Sequence, residues 1–391
     1  MVAGCSSPNH KPPPDVDLMP EPVVTVPRTN APPVTVPKTN TATNSVAPPI
    51  VAVPTNHFEL SETWIPLERW CQTHGFPAPR HDVNDNVSRY SFVTTNGTMT
   101  IQIGSKNAIW RGADYMLGFA PQVVKGHPCV NTLDIRKNFL PLLENPAPGK
   151  MNHVLVIDPG HGGTDTGTKS AFNGHFEKEF TLDLARRLQS LLAANGWTVW
   201  LTRTNDVYLS LPDRVAIADQ HQAGLFLSLH FNSSFPDQNE TGLETYCVTP
   251  RGMSSYMNRG FVDDPALIFP NNSFDAENIQ YAARLHRAAL KVNGHLDRGV
   301  RRARFLRVLR EQNRPAVLME VGYLSNLREA RRIADPEYRQ RFAEVLAQAL
   351  MENPGHPPAP AGQLSAAPRA TNQFPAAVNH GPGHQPEGQS D

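Results

Sequence analysis

His153-Val-Leu-Val-Ile-Asp-Pro-Gly-His-Gly-Gly163 is the stretch whose reading decides the fold. Val154 to Ile157 are apolar and mostly β-branched, the pattern of a short strand buried on both faces of a sheet. Asp158, Pro159 and Gly160 then break the strand and turn the backbone at its carboxyl end. His161 is left at that edge, followed by two glycines that let the backbone pass close to whatever the histidine holds. In open α/β sheets this edge is where ligands sit.

The same construction recurs downstream. A helix is expected from about Glu179 to Ala194, with Leu182, Ala185, Leu188 and Leu192 on one face and Asn195-Gly196 ending it. Trp197 to Thr202 reads as a second strand, residues 209 to about 220 as a second helix, and Gly224 to Leu229 as a third strand ending at His230. Gly242 to Val248 is a fourth strand, Glu277 to Val292 a helix, and Pro315 to Met319 a last buried strand ending at Glu320. Strands alternating with helices predict an α/β fold, a mostly parallel twisted sheet with helices on both faces.

Upstream, residues 58–148 read as a small α+β module. Ser61 is expected to cap a helix carrying Trp64, Leu67 and Cys71 at helical spacing. Two alternating strands follow, Arg89 to Thr95 and Thr98 to Ile103, joined by the hairpin signal Asn96-Gly97. A leucine-rich run from Leu133 to Leu143 closes the module, and Ala147 to Lys150 links it to a catalytic domain over 149–352. Residues 1–57 and 353–391 are rich in Pro and poor in large apolar residues, so neither can bury a core. The first is expected to be a tether, with Thr25-Val-Pro-Arg-Thr-Asn30 repeated as Thr35-Val-Pro-Lys-Thr-Asn40, and the second a disordered tail. Val2-Ala3-Gly4-Cys5 resembles the lipobox of bacterial lipoproteins, which leaves two readings, a lipoprotein start at Cys5 or a chance match to small residues.

Composition excludes several classes. The formal charge is zero, so nothing global favours nucleic acid, and no apolar run is long enough to span a bilayer. Any membrane attachment would be through a lipid on Cys5. Cys71, Cys129 and Cys247 form no Cys-x-x-Cys pair, which argues against a thiolate metal site. They read as small buried residues, with a Cys71–Cys129 bridge as the alternative in an exported protein.

The chemistry follows from the strand ends. His161, His230 and Glu320 all face one edge of the sheet, and Glu177 stands where a helix begins within reach of it. Two histidines and a carboxylate are the ligand set of a catalytic zinc that keeps a position open for water. A second carboxylate is needed to take a proton from that water and pass it to a leaving amine. His175 is a rival ligand, whereas His153, His221, His286 and His295 are expected to be exposed. Asp158 is read as a turn-former or acceptor near His161, and Arg203 and Asn232 as orienting or structural. The seven arginines from Arg298 to Arg314 are read as a solvated surface, with a face for an anionic polymer as the alternative. Thr249 to Asn272 is where a lid would lie.

Ile157-Asp-Pro-Gly-His-Gly-Gly163, Glu177-Lys178 opening a helix that continues through Leu182 to Leu188, Leu201-Thr-Arg203, Ser228-Leu-His-Phe-Asn232 and Glu320-Val-Gly-Tyr-Leu-Ser-Asn326 occur in order. Together they resemble the zinc-dependent N-acetylmuramoyl-L-alanine amidases of bacterial cell-wall remodelling, over about residues 152 to 350. The resemblance implies a phosphorylase/hydrolase-like fold, with zinc held by His161, Glu177 and His230 and Glu320 as general base and acid. It also implies peptidoglycan as substrate, cut between N-acetylmuramic acid and L-alanine. The expected protein is a monomer of the cell envelope, periplasmic or extracellular, with room for an activator protein. The module at 58–148 loosely resembles the copper-amine-oxidase-like N-terminal domain found beside envelope enzymes. Two alternatives stand beside this reading: a zinc peptidase acting on the stem peptide, and a catalytically silent wall-binding protein.

Overall fold

A computed structural model describes residues 63–84, 86–94, 96–143, 153–293 and 296–352. The tether, Cys5, the Ser61 cap, the linker at 147–150, His295 and the carboxyl-terminal tail lie outside those residues. The strands are β1 (Trp64–Pro66), β2 (Arg80–Asn84), β3 (Val87–Thr94), β4 (Gly97–Gln102), β5 (Asn107–Trp110), β6 (Ala113–Met116) and β7 (Gln122–Val124). They continue as β8 (His127–Asn131), β9 (Val154–Pro159), β10 (Thr198–Leu201), β11 (Leu225–Asn232), β12 (Leu243–Cys247), β13 (Asp297–Arg302) and β14 (Ala316–Tyr323).

Among the described residues, eleven strands form one sheet in the order β10-β9-β11-β14-β12-β13-β6-β5-β4-β3-β2. From β10 to β14 every pairing is parallel, so the carboxyl ends of β9, β11 and β14 come out on one edge. β12 then runs antiparallel to β14, which turns β12 and β13 against that direction. The α/β, mostly parallel architecture expected from the strand–helix alternation is what the chain adopts.

Alternation along each strand divides the core between the two faces. Leu155 and Ile157 pack with Leu184 and Leu188 of the helix Glu177–Ala193, with Ile279 of the helix Asp275–Asn293 and with Phe342 of the helix Pro336–Met351. Val156 points the other way, to Ala218 of the helix Leu211–Gln220 and Leu309 of the short helix Arg307–Arg310. The helix at 177–193 begins two residues earlier than its apolar period suggests. Glu179 reaches back to accept a 2.9 Å hydrogen bond from the Phe176 N–H and so fixes the start at Glu177. Its buried stripe is Phe180, Leu184, Leu188 and Leu191, with Leu182 only half-buried. Gly196, at φ +84°, supplies the left-handed residue that ends it.

The amino-terminal strands share this sheet. β2 to β6 are an antiparallel meander joined edge-on where Val300 of β13 pairs with Tyr115 of β6. Trp64, expected in a helix, lies in β1 instead, and the helix starts at Leu67, because Pro66 supplies its N-terminal boundary. Lys137 pairs with Asp275 at 2.9 Å, and Arg302 donates to the Asn138 side chain and the Lys137 carbonyl at 2.9 and 2.7 Å. No disulfide is present among the described residues: Cys71, Cys129 and Cys247 are buried thiols, and burial pushes Cys71 up to about 12.

Candidate active site

β9 ends in a turn built to place His161. Its φ of +61° is one that side chains with a Cβ rarely adopt, so the surroundings must hold it. Two buried arginines do so. Arg214 donates to the carbonyls of Pro159 and His161 at 3.1 and 3.0 Å, and Arg203 to those of Pro159 and Gly160 at 3.0 and 2.9 Å. Asp158 anchors the arrangement. It is 1% exposed and accepts from Arg214 at 2.6 Å, Thr202 at 2.6 Å and Ser228 at 2.8 Å. Burial opposes its charge most strongly, but Arg214 and the Thr202 hydrogen bond together hold the carboxyl below the usual carboxylate range. Asp158 is thus a fixed post under the turn, and it does not touch the His161 ring. Gly160 is required here because a Cβ on it would run into the His230 ring.

His161, Glu177 and His230 converge. One ligand atom from each lies within 4.8 Å of the others. Glu177 Oε1 sits 3.2 Å from His161 Nε2 and 3.1 Å from His230 Nδ1, and also accepts from the Phe231 N–H at 2.9 Å. Its other oxygen accepts from the Thr168 N–H at 3.1 Å. The remaining ring nitrogen of His161, Nδ1, meets Asp165 at 2.8 Å, a partner four residues on in the loop that the sequence did not single out. Burial works against a charge on His161, yet Glu177 and Asp165 raise its pKa to about 10. Glu177 goes the other way, held well below its ordinary value by the two histidines despite its burial.

Glu320 is directly beside this group. Parallel pairing sets His230 opposite Glu320, and antiparallel pairing sets Glu244 opposite Glu320 on the far side. The Oε2 of Glu320 is sealed from solvent and has no hydrogen-bond partner. Burial lifts its pKa to about 7, with Glu177 and Glu244 adding to the rise while His230 and Arg259 oppose it. An unpartnered carboxylate oxygen beside a cluster of ligand atoms is poised to exchange a proton with a molecule bound between them.

The other histidines separate from this group. His175 pairs with Glu179 at 2.6 Å and is not among the converging ligands. His286, expected on the surface, is fully buried between Thr245 at 2.9 Å and Asp297 at 2.8 Å. Asn232 donates to Glu244 at 3.2 Å. The arginine-rich segment is not one solvated face, since Arg302, Arg304 and Arg314 are 4, 0 and 6% exposed. Arg304 binds Asp263 at 2.6 Å and the carbonyls of Pro250 and Met253 at 2.8 and 2.7 Å, which ties down the irregular segment at 249–269.

Residues 155–352 match the family described as N-acetylmuramoyl-L-alanine amidase. The chain is 30% identical over 259 residues to the N-acetylmuramoyl-L-alanine amidase LytC of Bacillus subtilis, covering 66% of this chain and 44% of that one. It is 28% identical over 241 residues to the amidase AmiC of Escherichia coli, covering 55% of this chain and 57% of AmiC. With AmiA of Escherichia coli it shares 31% over 219 residues, 51% of this chain and 75% of AmiA. It spans about half the length of the first two relatives.

Proposed function

This chain belongs to the N-acetylmuramoyl-L-alanine amidase family, and on that footing we propose that it hydrolyses the amide between N-acetylmuramic acid and L-alanine in peptidoglycan. His161, Glu177 and His230 would hold a zinc ion, and Glu320 is the general base and acid. One observation carries the reading: three ligand atoms lie within 4.8 Å of one another beside a carboxylate oxygen that has no partner. Imidazole and carboxylate suit zinc, and the second nitrogen of His161 already has the carboxylate partner that such ligands usually have.

Zinc bound there supplies a Lewis acid that polarises the scissile carbonyl and lowers the pKa of a water to about 7. The protein does the rest. Asp165 keeps Nδ1 of His161 engaged, so that Nε2 stays directed at the cluster. Glu320 takes a proton from the attacking water and returns it to the departing amine. The C–O bond forms first and the C–N bond then breaks once the nitrogen is protonated, leaving a lactyl carboxylate and a free L-alanine amino terminus. Peptidoglycan as substrate places the protein in the cell envelope or outside the cell.

Mass spectrometry of purified peptidoglycan after digestion tests this. Stem peptides with a free L-alanine amino terminus, lost with a chelator and restored by zinc, are the expected products. Shortened peptides still attached to muramic acid would show a stem-peptide peptidase instead, and intact glycan that nonetheless retains the protein would show a silent binder.

A further inference from the structure

Charged residues continue along the sheet past Glu320, away from the histidines. Glu244, opposite Glu320, accepts from the Tyr246 hydroxyl at 2.7 Å and lies 3.4 Å from Nε of Arg301 on the next strand. Arg301 and Arg298 then line a cavity of about 240 Å³ together with Asn107, Asp114, Met116 and Leu296. This cavity opens where β13 meets β6, so one wall belongs to the amino-terminal strands. Gly299, at φ +86°, lets the two strands close up there, since a Cβ on it would lie 3.1 Å from the Asp114 carbonyl.

Strand alternation decides which side chains enter the cavity. Val300 and Tyr115 pair and are both buried in the core, so their neighbours Arg301 and Asp114 project from the opposite face. Arg298 is already committed, to Glu240, to the Thr241 carbonyl and to the Tyr323 ring at 4.9 Å. Arg301 is held at Nε by its ion pair with Glu244, whereas Asp114 has no such partner among the described residues. The guanidinium of Arg301 lies 3.7 Å from the centroid of the Tyr256 ring, and its Nε faces Glu244 at 3.4 Å without a hydrogen bond. Among the described residues nothing donates a hydrogen bond to the Asp114 carboxylate. Burial and then Asp297 push its pKa up, a cost that an arriving cation would relieve.

We propose that this cavity is a subsite for a group carrying an ammonium and a carboxylate together, with Asp114 taking the ammonium and Arg301 the carboxylate. The inference rests on the amidase reading above, under which the ligand is the amino-acid end of a diamino-dicarboxylic residue in the stem peptide. Reach agrees: β11 to β13 is three strand steps of about 4.8 Å, roughly 14 Å, and an extended peptide covers about 3.3–3.6 Å per residue. A side chain on the third residue from the cleaved amide spans that distance. The amino-terminal strands are then part of the substrate site.

The test uses the full chain loaded with zinc and two muramoyl tripeptides that differ only at the third residue, diaminopimelate or lysine. The lysine side chain keeps the ammonium and lacks the carboxylate. We expect kcat/KM for the diaminopimelate substrate to be at least about tenfold higher, and the ratio to fall to near one in Arg301→Met. In Asp114→Asn, the advantage of free lysine over a substrate with an acetylated lysine side chain should disappear. Ratios are insensitive to any loss of folded protein. Equal rates on the two peptides with the unaltered protein, or an unchanged ratio in Arg301→Met, would overturn the subsite and leave the amidase reading standing. Cleavage of neither peptide would overturn both.

Discussion

Glu320 has the most exacting task of any residue in the proposed site, because it must be ionised to accept a proton and yet sits where ionisation is costly. Burial lifts its pKa to about 7, and only the carboxylate form can act as the base. The sign follows: kcat/KM should rise with pH up to a limb at or below about 7, since a zinc ion next to Glu320 favours the carboxylate and moves the limb downward. Below the limb the rate should fall about tenfold per pH unit, as a pH–rate profile on a soluble muramoyl peptide would show. A flat profile down to pH 4 would remove Glu320 from the role of base. The convergence of His161, Glu177, His230 and Glu320 was legible in the sequence because three of them stand at or near the carboxyl ends of β9, β11 and β14 and one opens a helix, although β11 and β14 run on past His230 and Glu320 to Asn232 and Tyr323. Asp165 was not, since a loop residue's direction depends on turns that no periodicity records. Glu244 was hidden differently: it neighbours Glu320 only because β12 reverses direction in the sheet.

The element that holds the site together is the end of β9 on its Asp158–Arg214 pair. Both groups are nearly sealed, at 1 and 3% exposure, and Arg214 spends its other hydrogen bonds on the carbonyls of Leu209, Pro159 and His161. Asp158→Ala leaves a buried guanidinium without its counter-charge and should destabilise the protein by about 3–5 kcal/mol, readable in urea unfolding. A loss under 1 kcal/mol would mean that the turn is held by the backbone contacts alone. Strands β9, β11 and β14 were predictable from apolar runs bounded by turn residues, and the helix at 177–193 from its period. The arginine-rich segment was misread because a buried arginine looks like a surface one until its partners are known. Those of Arg304 lie around fifty residues away in sequence, at Pro250, Met253 and Asp263.

Taken whole, the described chain is organised by one sheet that runs from the site to the edge strand β2. The β13–β6 pairing joins segments nearly two hundred residues apart, which local pattern cannot foresee, so only the hairpin was readable there. We propose that the amino-terminal strands and the catalytic region unfold together. A chain starting at residue 149 would strip Arg302 of Asn138 and the Lys137 carbonyl and expose β13 as an edge. At a cost of about 3 kcal/mol, its midpoint of thermal unfolding should fall by roughly 6–12 °C; an unchanged midpoint would show two independent bodies. The site itself is tested most directly by measuring zinc content and turnover together in the unaltered protein, His161→Ala and Glu320→Ala. The account predicts one zinc per chain with turnover in the first, neither in the second, and zinc without turnover in the third. Full zinc retained by His161→Ala, or full turnover by Glu320→Ala, would contradict it.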